Sequence, residues 1–502
     1  MTAQTGLLHE LLDNAVRRWP DRAALSVKDT TVSYRELDAA SRRLSAWLHR
    51  EGLGRGQRVV VHSAASPLVP ALVYAASRIG APFSVLHEQV RGSALEHVLD
   101  DCEPALLVSD ASDPVPHGSK TRVVPAGELE EVAFSPSAEA AGAPFPAPIG
   151  VDPACLIYTS GTTSRPKAVV STHHQMTFAV SAIQSVLGYR PADVVFSPLP
   201  LSFDYGLYQL FLAASAGAHV RLGLPGEVGP RLPAALHASG ATVLAGVPSV
   251  AETLARLLAR TTKAPTRLRM LTNTGAAMPP EVLRTLRAAL PELRIHLMFG
   301  LTECKRATIM PADGDLERPG SSGRALPGTE VLVVDPAGRR LPAGETGEIT
   351  VRGPNVMSGY WRRPELTAAR FVRTEGLFPE LRTGDFGRID EEGYLYFAGR
   401  DDDIYKENGF RVSATEVEAS ARMVSGVRSA AVLPPTTAAP AALFVVSGLT
   451  AGDVLSELRN HIEEFKIPRN CFVLPDLPLT SNGKVDRKAL IAFAEEHNDG
   501  RA

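Results

Sequence analysis

Residues 158–167, YTSGTTSRPK, decide the fold, because they join two apolar segments through a loop of hydroxyl-bearing side chains. The apolar residues at 154–157 and 168–170 predict a strand, a loop and a second strand. Gly161 lets the loop backbone bend without a Cβ penalty. Hydroxyls and exposed amides bind phosphate oxygens well, and Lys167 adds a positive charge. A polar surface hairpin without a ligand is the alternative.

The loop differs from the Walker nucleotide-binding loop, in which Gly-Lys is followed by Ser or Thr. Here Pro166 precedes Lys167 and Ala168 follows it. The loop instead resembles the phosphate-binding signature of the adenylate-forming superfamily: acyl-CoA ligases, luciferases and adenylation domains of nonribosomal peptide synthetases. This resemblance implies that ATP phosphates contact Thr159, Ser160, Gly161, Thr162, Thr163 and Lys167.

The composition, 44% hydrophobic and 21% charged over 502 residues, is typical of a soluble globular protein. A net charge of −3 gives no reason to expect a nucleic-acid partner. No segment approaches the roughly 18 apolar residues of a membrane span, and the N-terminus lacks the pattern of a signal peptide. The four cysteines lack zinc or disulfide spacing, so we expect reduced thiols and a cytoplasmic location without membrane contact.

Helical and extended segments alternate along the first 300 or so residues, which predicts an α/β domain of layered, mainly parallel sheets. Ser33 and Glu36 have the spacing of a capping box and predict a helix start. Residues 111–150 are rich in Pro, Ala and Ser and predict a surface linker with little regular structure. From about 320 onward, dense Gly and Pro between short alternating segments predict a β-rich subdomain.

We expect two domains: an N-terminal adenylation core over 1–399, with the β-rich subdomain at about 320–399, and a small mobile α+β domain over 400–502. The resemblance places the hinge at Asp402. It also implies that Lys406 and Gly409 enter the active site when the small domain rotates for thioester formation. For Asp402, a solvated acidic surface is the alternative.

Activation of a carboxylate by ATP requires charge stabilisation and positioning, because the carboxylate is already a nucleophile at neutral pH. Residues 299–303, FGLTE, resemble the superfamily's aromatic-Gly-x-Thr-Glu motif. The resemblance implies that Phe299 stacks on adenine, Thr302 contacts the α-phosphate and Glu303 holds Mg²⁺. A buried Phe beside a surface Glu is the alternative.

Two further segments match nucleotide-binding positions of the superfamily. Gly275 and Ala276 match a loop that lies along adenine and the substrate. Asp385, at the end of RTGD, matches the residue that accepts hydrogen bonds from the ribose hydroxyls, and Arg400 matches an arginine that contacts ribose and phosphate. A turn aspartate is the alternative for Asp385.

Residues 479–486, LTSNGKVD, place a lysine directly after an Asn-Gly turn, which presents Lys484 at a loop tip. Most exposed lysines have no catalytic role. Lys484 nevertheless matches the superfamily's catalytic lysine, which bridges the carboxylate and the α-phosphate, and a compact ammonium suits that task.

Phe203-Asp204 resembles the pair in amino-acid adenylation domains whose aspartate binds the substrate's α-ammonium group. A helix N-cap is the alternative for Asp204. The segments SFDYG at 202–206 and TECKR at 302–306 are similar to stand-alone prolyl–carrier-protein ligases, which supply pyrrole building blocks. L-Proline is therefore the expected substrate, and a separate carrier protein the expected acceptor. The expected pocket residues are Tyr205, Tyr208, Gly275 and Met298.

Lys305 and Arg306 depart from this pattern, because many amino-acid adenylation domains have small neutral residues there. The two cations either pair with nearby acids or accept a second carboxylate of the substrate. Other functions remain open: an acyl- or aryl-CoA ligase, a luciferase-type oxygenase and a non-catalytic scaffold. The last is disfavoured by the joint presence of Lys167, Glu303, Asp385, Arg400 and Lys484.

Overall fold

The computed structural model describes residues 6–110, 121–135, 146–159, 166–260, 267–373, 378–400, 404–407, 410–436, 439–462, 464–480 and 483–498. The chain folds as two units. Unit 1 comprises residues 1–316, 323–331 and 351–381, and unit 2 comprises 317–322, 332–350 and 382–502. The expected domain boundary near residue 400 stays a prediction. In the described ranges, no helix is both long and apolar enough to cross a membrane.

The helices are α1 (Glu10–Arg18), α2 (Tyr34–Arg50), α3 (Leu68–Arg78), α4 (Ser93–Cys102), α5 (Ala126–Phe134), α6 (His173–Leu187), α7 (Asp204–Ala216), α8 (Leu232–Ala238), α9 (Pro248–Leu258), α10 (Pro280–Ala289), α11 (Pro364–Arg370), α12 (Ala414–Met423), α13 (Ala451–Leu458) and α14 (Arg487–Asn498).

The strands are β1 (Ala23–Val27), β2 (Thr30–Ser33), β3 (Val59–His62), β4 (Phe83–Leu86), β5 (Leu106–Ser109), β6 (Arg122–Val124), β7 (Pro153–Thr159), β8 (Lys167–Thr172), β9 (Val194–Ser197), β10 (His219–Leu222), β11 (Val243–Gly246), β12 (Met270–Asn273), β13 (Arg294–Phe299), β14 (Thr308–Ile309), β15 (Ser321–Ala325), β16 (Glu330–Val334), β17 (Gly347–Arg352), β18 (Gly359–Tyr360), β19 (Phe371–Val372), β20 (Glu380–Ile389), β21 (Tyr394–Arg400), β22 (Ile404–Glu407), β23 (Phe410–Ser413), β24 (Val427–Leu433), β25 (Ala442–Ser447) and β26 (Asn470–Leu474).

A largely parallel sheet in unit 1 carries the strands whose ends form the candidate site. Its order is β14-β13-β12-β11-β9-β10-β1-β2. The central strands from β13 to β1 are parallel, and β2 and β14 run antiparallel at the two sides. Strands β11 and β12 are completely buried, as expected for parallel strands covered by helices on both faces.

The second sheet of unit 1 has the order β18-β8-β7-β4-β3-β5-β6. Its β7 and β8 pair antiparallel, with Thr159 opposite Lys167, so the two strands predicted on either side of residues 160–165 are confirmed. The capping box of Ser33 and Glu36 is also confirmed, since each bonds the backbone amide of the other.

The prediction of a surface linker with little regular structure over 111–150 is wrong for residues 122–134, because β6 and α5 lie there. Strand β6 extends the sheet by pairing parallel to β5. Helix α5 buries Ala126, Leu129 and Ala133 on one face, and this spacing is helical despite the Pro- and Ala-rich surroundings. Residues 111–120 and 136–145 of the predicted linker lie outside the described ranges.

In unit 2, β17, β20 and β21 are neighbours in that order. The C-terminal part contains the antiparallel pair β22-β23 and a three-stranded sheet, β24-β25-β26. Val417, Leu443 and Val454, from α12, β25 and α13, share one of its small hydrophobic cores. A large layered α/β N-terminal part and a small α+β C-terminal part confirm the predicted fold class.

Candidate active site

The candidate site of unit 1 lies where parallel strands end. Strands β9, β11, β12 and β13 are neighbours, and each is followed by a loop at the same edge of the sheet. Loops at the carboxyl ends of parallel strands commonly form ligand sites. Here Asp204 begins the helix that follows β9, and loops carry Gly275 after β12 and Glu303 after β13.

Asp204 is a buried carboxylate beside a buried guanidinium. The N-cap alternative for Asp204 is wrong, because Phe203 occupies the N-cap and Asp204 is the first helical residue of α7. Asp204 is 4% exposed, and its Oδ2 lies 3.6 Å from Nη1 of Arg306. A buried carboxylate requires a nearby cation, and the chain supplies one. Arg306 therefore lies beside a nearby acid, which corresponds to one of the two alternatives for this cation.

Lys305 adds a second buried cation to the same pocket. Its side chain is completely buried, and its Nζ donates a hydrogen bond to the carbonyl of Thr302 at 3.1 Å. The ammonium lies 5.5 Å from the ring centroid of Tyr208, and the Arg306 guanidinium lies 4.5 Å from that of Tyr205. Burial lowers the pKa of Lys305, and the Asp204 carboxylate opposes this effect. The pocket thus combines Asp204 with two cations.

Two polar atoms around this pocket are buried without a hydrogen-bond partner in the described part of the chain. They are Nε of Arg306 and the hydroxyl of Tyr208. Because buried polar groups are nearly always hydrogen-bonded in native proteins, such atoms indicate a ligand or water that satisfies them. They therefore mark positions beside Asp204 where a ligand or a water molecule would accept or donate a hydrogen bond.

The backbone of the loop at 303–306 is held in an unusual conformation. Lys305 has a φ of +63°, which non-glycine residues rarely adopt. Its carbonyl oxygen packs against Gly300, where an added Cβ would lie 2.1 Å from that oxygen. Nδ2 of Asn355 donates to the carbonyls of Cys304 and Arg306, each at 3.1 Å. These contacts fix the two cations in place.

Glu303 and Lys167 both contact Tyr360. The Tyr360 hydroxyl donates to Oε1 of Glu303 at 2.7 Å, and the Lys167 ammonium lies 4.0 Å from the centroid of the Tyr360 ring. Burial, followed by the Glu303 charge, raises the pKa of Tyr360, so the phenol stays protonated and donates. Residues 160–165 of the phosphate loop lie outside the described ranges, and they include Ser160, Gly161, Thr162 and Thr163.

Glu303 fits the magnesium role that the sequence implies. A carboxylate is the hard oxygen ligand that Mg²⁺ prefers, and Mg²⁺ is usually bound by one or two carboxylates together with substrate phosphates and water. Among the described residues no cluster of three or more His, Cys, Asp or Glu side chains forms a complete metal cage. A single carboxylate near Lys167 of the β7–β8 hairpin agrees with this mode of binding.

Two tyrosines of the expected substrate pocket lie beside the charged cluster. The Tyr205 hydroxyl donates to the carbonyl of Thr272 at 2.7 Å, and the Tyr208 ring packs edge-on against Phe211 with centroids 5.5 Å apart. Met298 at the end of β13 is also buried. The remaining expected residues are less enclosed: Phe299 and Thr302 are partly buried, and Gly275 and Ala276 are exposed.

In unit 2, Asp385 and Arg400 lie opposite each other on β20 and β21. Arg400 Nε is 3.7 Å from Oδ1 of Asp385, and the backbone amide of Asp385 donates to the hydroxyl of Thr383 at 3.0 Å. The turn alternative for Asp385 is wrong, since the residue lies inside β20. Strand pairing therefore holds a buried carboxylate beside a half-exposed guanidinium.

Lys484 is exposed at the tip of a short hairpin in unit 2. The amide of Thr480 donates to the carbonyl of Lys484 at 2.7 Å, and Gly483 adopts a φ of +73° that the turn requires. For the thioester step, Asp402 and Gly409 lie outside the described residues. Lys406 lies in β22, where its backbone pairs with Arg411.

Sequence reasoning missed Tyr360 and Asn355. Both belong to a segment, 353–361, that follows β17 and that we term the strap. The strap also bonds β8, since the Ser358 and Trp361 amides donate to the carbonyls of Val170 and Ala168 at 3.0 and 2.9 Å. Sequence reasoning did not single out this segment, and the fold brings it against Glu303.

Comparison with known proteins assigns both parts of the chain. The family model described as AMP-binding enzyme matches residues 12–361, and the model of its C-terminal domain matches residues 416–484. The L-proline–[L-prolyl-carrier protein] ligase of Pseudomonas fluorescens is 29% identical over 97% of this chain and 99% of its own length. The chain spans only 8% of Tyrocidine synthase 3 of Brevibacillus parabrevis, at 28% identity over 96% of this chain.

Solved structures agree with this grouping. VinN in complex with L-aspartate is 37% identical, with a TM-score of 0.71 over 78% of this chain and 98% of that chain. ATP-bound MatB from Rhodopseudomonas palustris is 29% identical, with a TM-score of 0.85 over 97% of this chain and 98% of that one. Because the family model covers well over half of the sequence, the chain belongs to the AMP-binding enzymes, the family of adenylate-forming ligases.

Proposed function

We propose that this protein activates an amino acid bearing a second carboxylate, using ATP with release of pyrophosphate, and transfers it to the phosphopantetheine thiol of a separate carrier protein. The observation that carries this proposal is the pocket of Asp204, Lys305 and Arg306. A neutral side chain such as that of L-proline offers nothing to two buried cations. An amino dicarboxylate of the size of aspartate offers both an ammonium and an extra carboxylate.

Each charged group of such a substrate has a partner in the pocket. The ammonium pairs with Asp204, whose carboxylate lies 3.6 Å from Arg306 and therefore lacks a close hydrogen bond to it. The second carboxylate pairs with Arg306 and Lys305, and Nε of Arg306 gains the acceptor that it lacks among the described residues. The remaining carboxylate is left for the reaction with ATP.

The first reaction joins this carboxylate to the α-phosphate of ATP. A carboxylate oxygen forms a bond to the α-phosphorus, the bond to the bridging β-phosphate oxygen breaks, and pyrophosphate leaves. We assign Lys484 to the bridging position between the carboxylate and the α-phosphate, and Thr302 to an α-phosphate contact. Charge stabilisation of this kind accounts for most of the acceleration in such reactions.

We assign the other expected residues to binding the nucleotide. Thr159 and Lys167 are paired at the ends of β7 and β8, and we assign them to the phosphates. We assign Phe299 to adenine, and Asp385 and Arg400 to the ribose. Glu303 would hold Mg²⁺, which when bound neutralises charge on the phosphates. The ATP-bound MatB relative supports the use of ATP.

In the second reaction, the carrier thiol attacks the acyl carbonyl, a carbon–sulfur bond forms, the bond to the phosphate oxygen breaks and AMP leaves. The thiol proton passes to solvent. The prolyl-carrier relative supports a carrier as acceptor. We assign Asp402, Lys406 and Gly409 to the movement that follows adenylation. CoA is the alternative acceptor, and mass spectrometry of the thioester formed with CoA or a loaded carrier separates the two.

L-Proline remains a second candidate substrate, because the prolyl-carrier ligase covers nearly the whole chain at 29% identity. VinN with L-aspartate is the more similar of the two at 37%. The buried cations favour the amino dicarboxylate, since L-proline would leave both unpaired with substrate.

The test is ATP–pyrophosphate exchange with L-aspartate, its β-methyl and β-amino analogues, L-proline, succinate, and short acyl and aryl acids. We expect exchange with an amino dicarboxylate at least tenfold above that with L-proline or succinate. Exchange highest with L-proline would refute the substrate proposal and keep the amino-acid ligase. Exchange only with acids lacking an amino group would refute the role of Asp204.

A further inference from the structure

We propose that Tyr360 is a positioning residue for nucleotide binding, which orients the Glu303 carboxylate through its hydroxyl and steadies the Lys167 ammonium with its ring. This inference rests on the proposed function in one respect, the assignment of Glu303 to Mg²⁺. The geometry that carries it is independent of the substrate: one side chain contacts both groups, although Glu303 follows β13 of one sheet and Lys167 begins β8 of the other.

The hydroxyl of Tyr360 fixes one of the two Glu303 oxygens. It donates to Oε1 at 2.7 Å, while the backbone carbonyl of Glu303 accepts from the amide of Met357 at 2.8 Å. Both bonds come from the strap, so side chain and backbone of Glu303 are oriented by one segment. A carboxylate ligand held through one oxygen presents the other to a cation, and such supporting hydrogen bonds strengthen metal binding.

The ring of Tyr360 acts on the second group. The Lys167 ammonium lies 4.0 Å from the ring centroid, which is within the range of a cation–π interaction. Lys167 begins β8, directly after the phosphate loop, so its ammonium can remain near the phosphates while its position is restricted. Tyr360 thereby links the position of the metal carboxylate to that of the phosphate-binding lysine.

Tyr360 is itself held rigidly. It pairs with Val169 of β8, its amide donates to the hydroxyl of Thr367 at 3.0 Å, and its ring packs edge-on against Phe371 with centroids 5.6 Å apart. Arg370 also interacts with its hydroxyl. A side chain fixed from several directions can orient others, which a mobile surface tyrosine cannot do.

Two substitutions separate the two contacts. Tyr360→Phe keeps the ring over Lys167 and removes the bond to Glu303, whereas Tyr360→Leu removes both. Tyr34→Phe is the matched control, because it also removes a buried hydroxyl, which donates to the carbonyls of Ala213 and Ala218 in the same unit. Glu303→Gln tests the metal assignment itself.

The first readout is the Kd of Mn²⁺ in the presence of α,β-methylene-ATP, measured from the electron paramagnetic resonance signal of free Mn²⁺. The second is the Kd of the same nucleotide in EDTA, measured by calorimetry. We expect Tyr360→Phe to raise the Kd of Mn²⁺ about tenfold and to leave binding in EDTA unchanged. Tyr360→Leu should additionally weaken binding in EDTA by about two- to fivefold. Tyr34→Phe should lower the melting temperature without changing either Kd.

If Glu303→Gln raises the Kd of Mn²⁺ and a folded Tyr360→Phe does not, the positioning role is refuted while the metal assignment stands. If Glu303→Gln itself leaves the Kd unchanged, the assignment of Mg²⁺ to Glu303 is refuted as well. Equal changes in Tyr360→Phe and Tyr34→Phe would show a general loss of stability and would also overturn the inference.

Discussion

Replacing Arg306 with Gln tests the interpretation of the charged pocket. Glutamine keeps much of the length of the side chain and its capacity to donate hydrogen bonds, but it removes the charge. Arg306 is 4% exposed, and its guanidinium lies 3.6 Å from Asp204 and 4.5 Å from the Tyr205 ring centroid. We expect the variant to lose activity toward amino dicarboxylates selectively.

The size of the loss follows from the burial of the group. Removing one partner of a buried, hydrogen-bonded charge pair costs about 2–5 kcal/mol. We expect a value near the lower end, about 2–3 kcal/mol, because Lys305 remains as a second cation beside the same pocket. This corresponds to a fall of roughly 30- to 150-fold in kcat/KM, at about 1.4 kcal/mol per factor of ten. L-Proline has no second carboxylate, so its kcat/KM should change by less than about threefold.

The assay is ATP–pyrophosphate exchange with L-aspartate and L-proline, measured on one preparation of each variant. Arg221→Gln is the matched control, since Arg221 forms a partly buried ion pair with Glu227 at 2.8 Å in the same unit. Circular dichroism and the melting temperature show whether each variant is folded. An equal loss for both amino acids in a folded Arg306→Gln protein would refute the selective role. So would an unchanged kcat/KM for L-aspartate.

Three further outcomes are expected. Lys484→Ala should slow adenylation about 100- to 1000-fold, because one preorganised charge at the reacting phosphate is removed. Thioester formation from a synthetic aminoacyl adenylate should continue in this variant. An equal loss of rate in both steps would contradict the role of Lys484. Asp204→Ala should abolish exchange with amino acids but not with succinate, and unchanged exchange with L-aspartate would contradict the ammonium contact. Burial lowers the pKa of His173 to about 4, so its ring is neutral in the folded state at pH 5 whereas the unfolded chain is protonated below about 6.5. Its contribution to the free energy of unfolding, up to about 3 kcal/mol, is complete above pH 6.5 and is lost as the pH falls toward 4. Urea unfolding at several pH values should therefore show a smaller loss of unfolding free energy at low pH in His173→Gln than in the wild type.

Local patterns predicted much of the fold, because they involve residues close together in the sequence. The capping box at Ser33 and the strands around the phosphate loop follow from spacing over a few residues. The error at 111–150 has a physical cause as well. Strand β6 is held by pairing with β5, and this tertiary contact leaves no trace in a short segment of mixed composition.

The sequence drew attention to the charged residues of the cluster, but it did not show which of them lie close together. The residues Lys305 and Arg306 stood out as unusual cations, yet nothing in the spacing says that Arg306 meets Asp204, which lies more than 100 positions earlier. Both follow parallel strands of one sheet, and the sheet alone brings them together. The start of α7 also could not be located to a single residue from the sequence. Asp204 is the first helical residue of α7, and Phe203 is its N-cap.

Tyr360 could not be found from the sequence, because its role depends on two contacts made far along the chain. Its hydroxyl reaches Glu303, 57 positions earlier, and its ring reaches Lys167. A Gly-Tyr pair in a short edge strand has no recognisable chemical signature. The pairing of β18 with β8 and the bond to Glu303 place the strap between Glu303 and Lys167.

The most direct test of the central claim is a crystal structure of the protein with an aspartyl sulfamoyl adenylate. We predict that the second carboxylate lies within about 3 Å of the Arg306 guanidinium, the distance of a charge-assisted hydrogen bond, with the ammonium on Asp204. A second carboxylate turned toward solvent, with Arg306 still paired only to Asp204, would contradict the account of how this pocket selects its substrate.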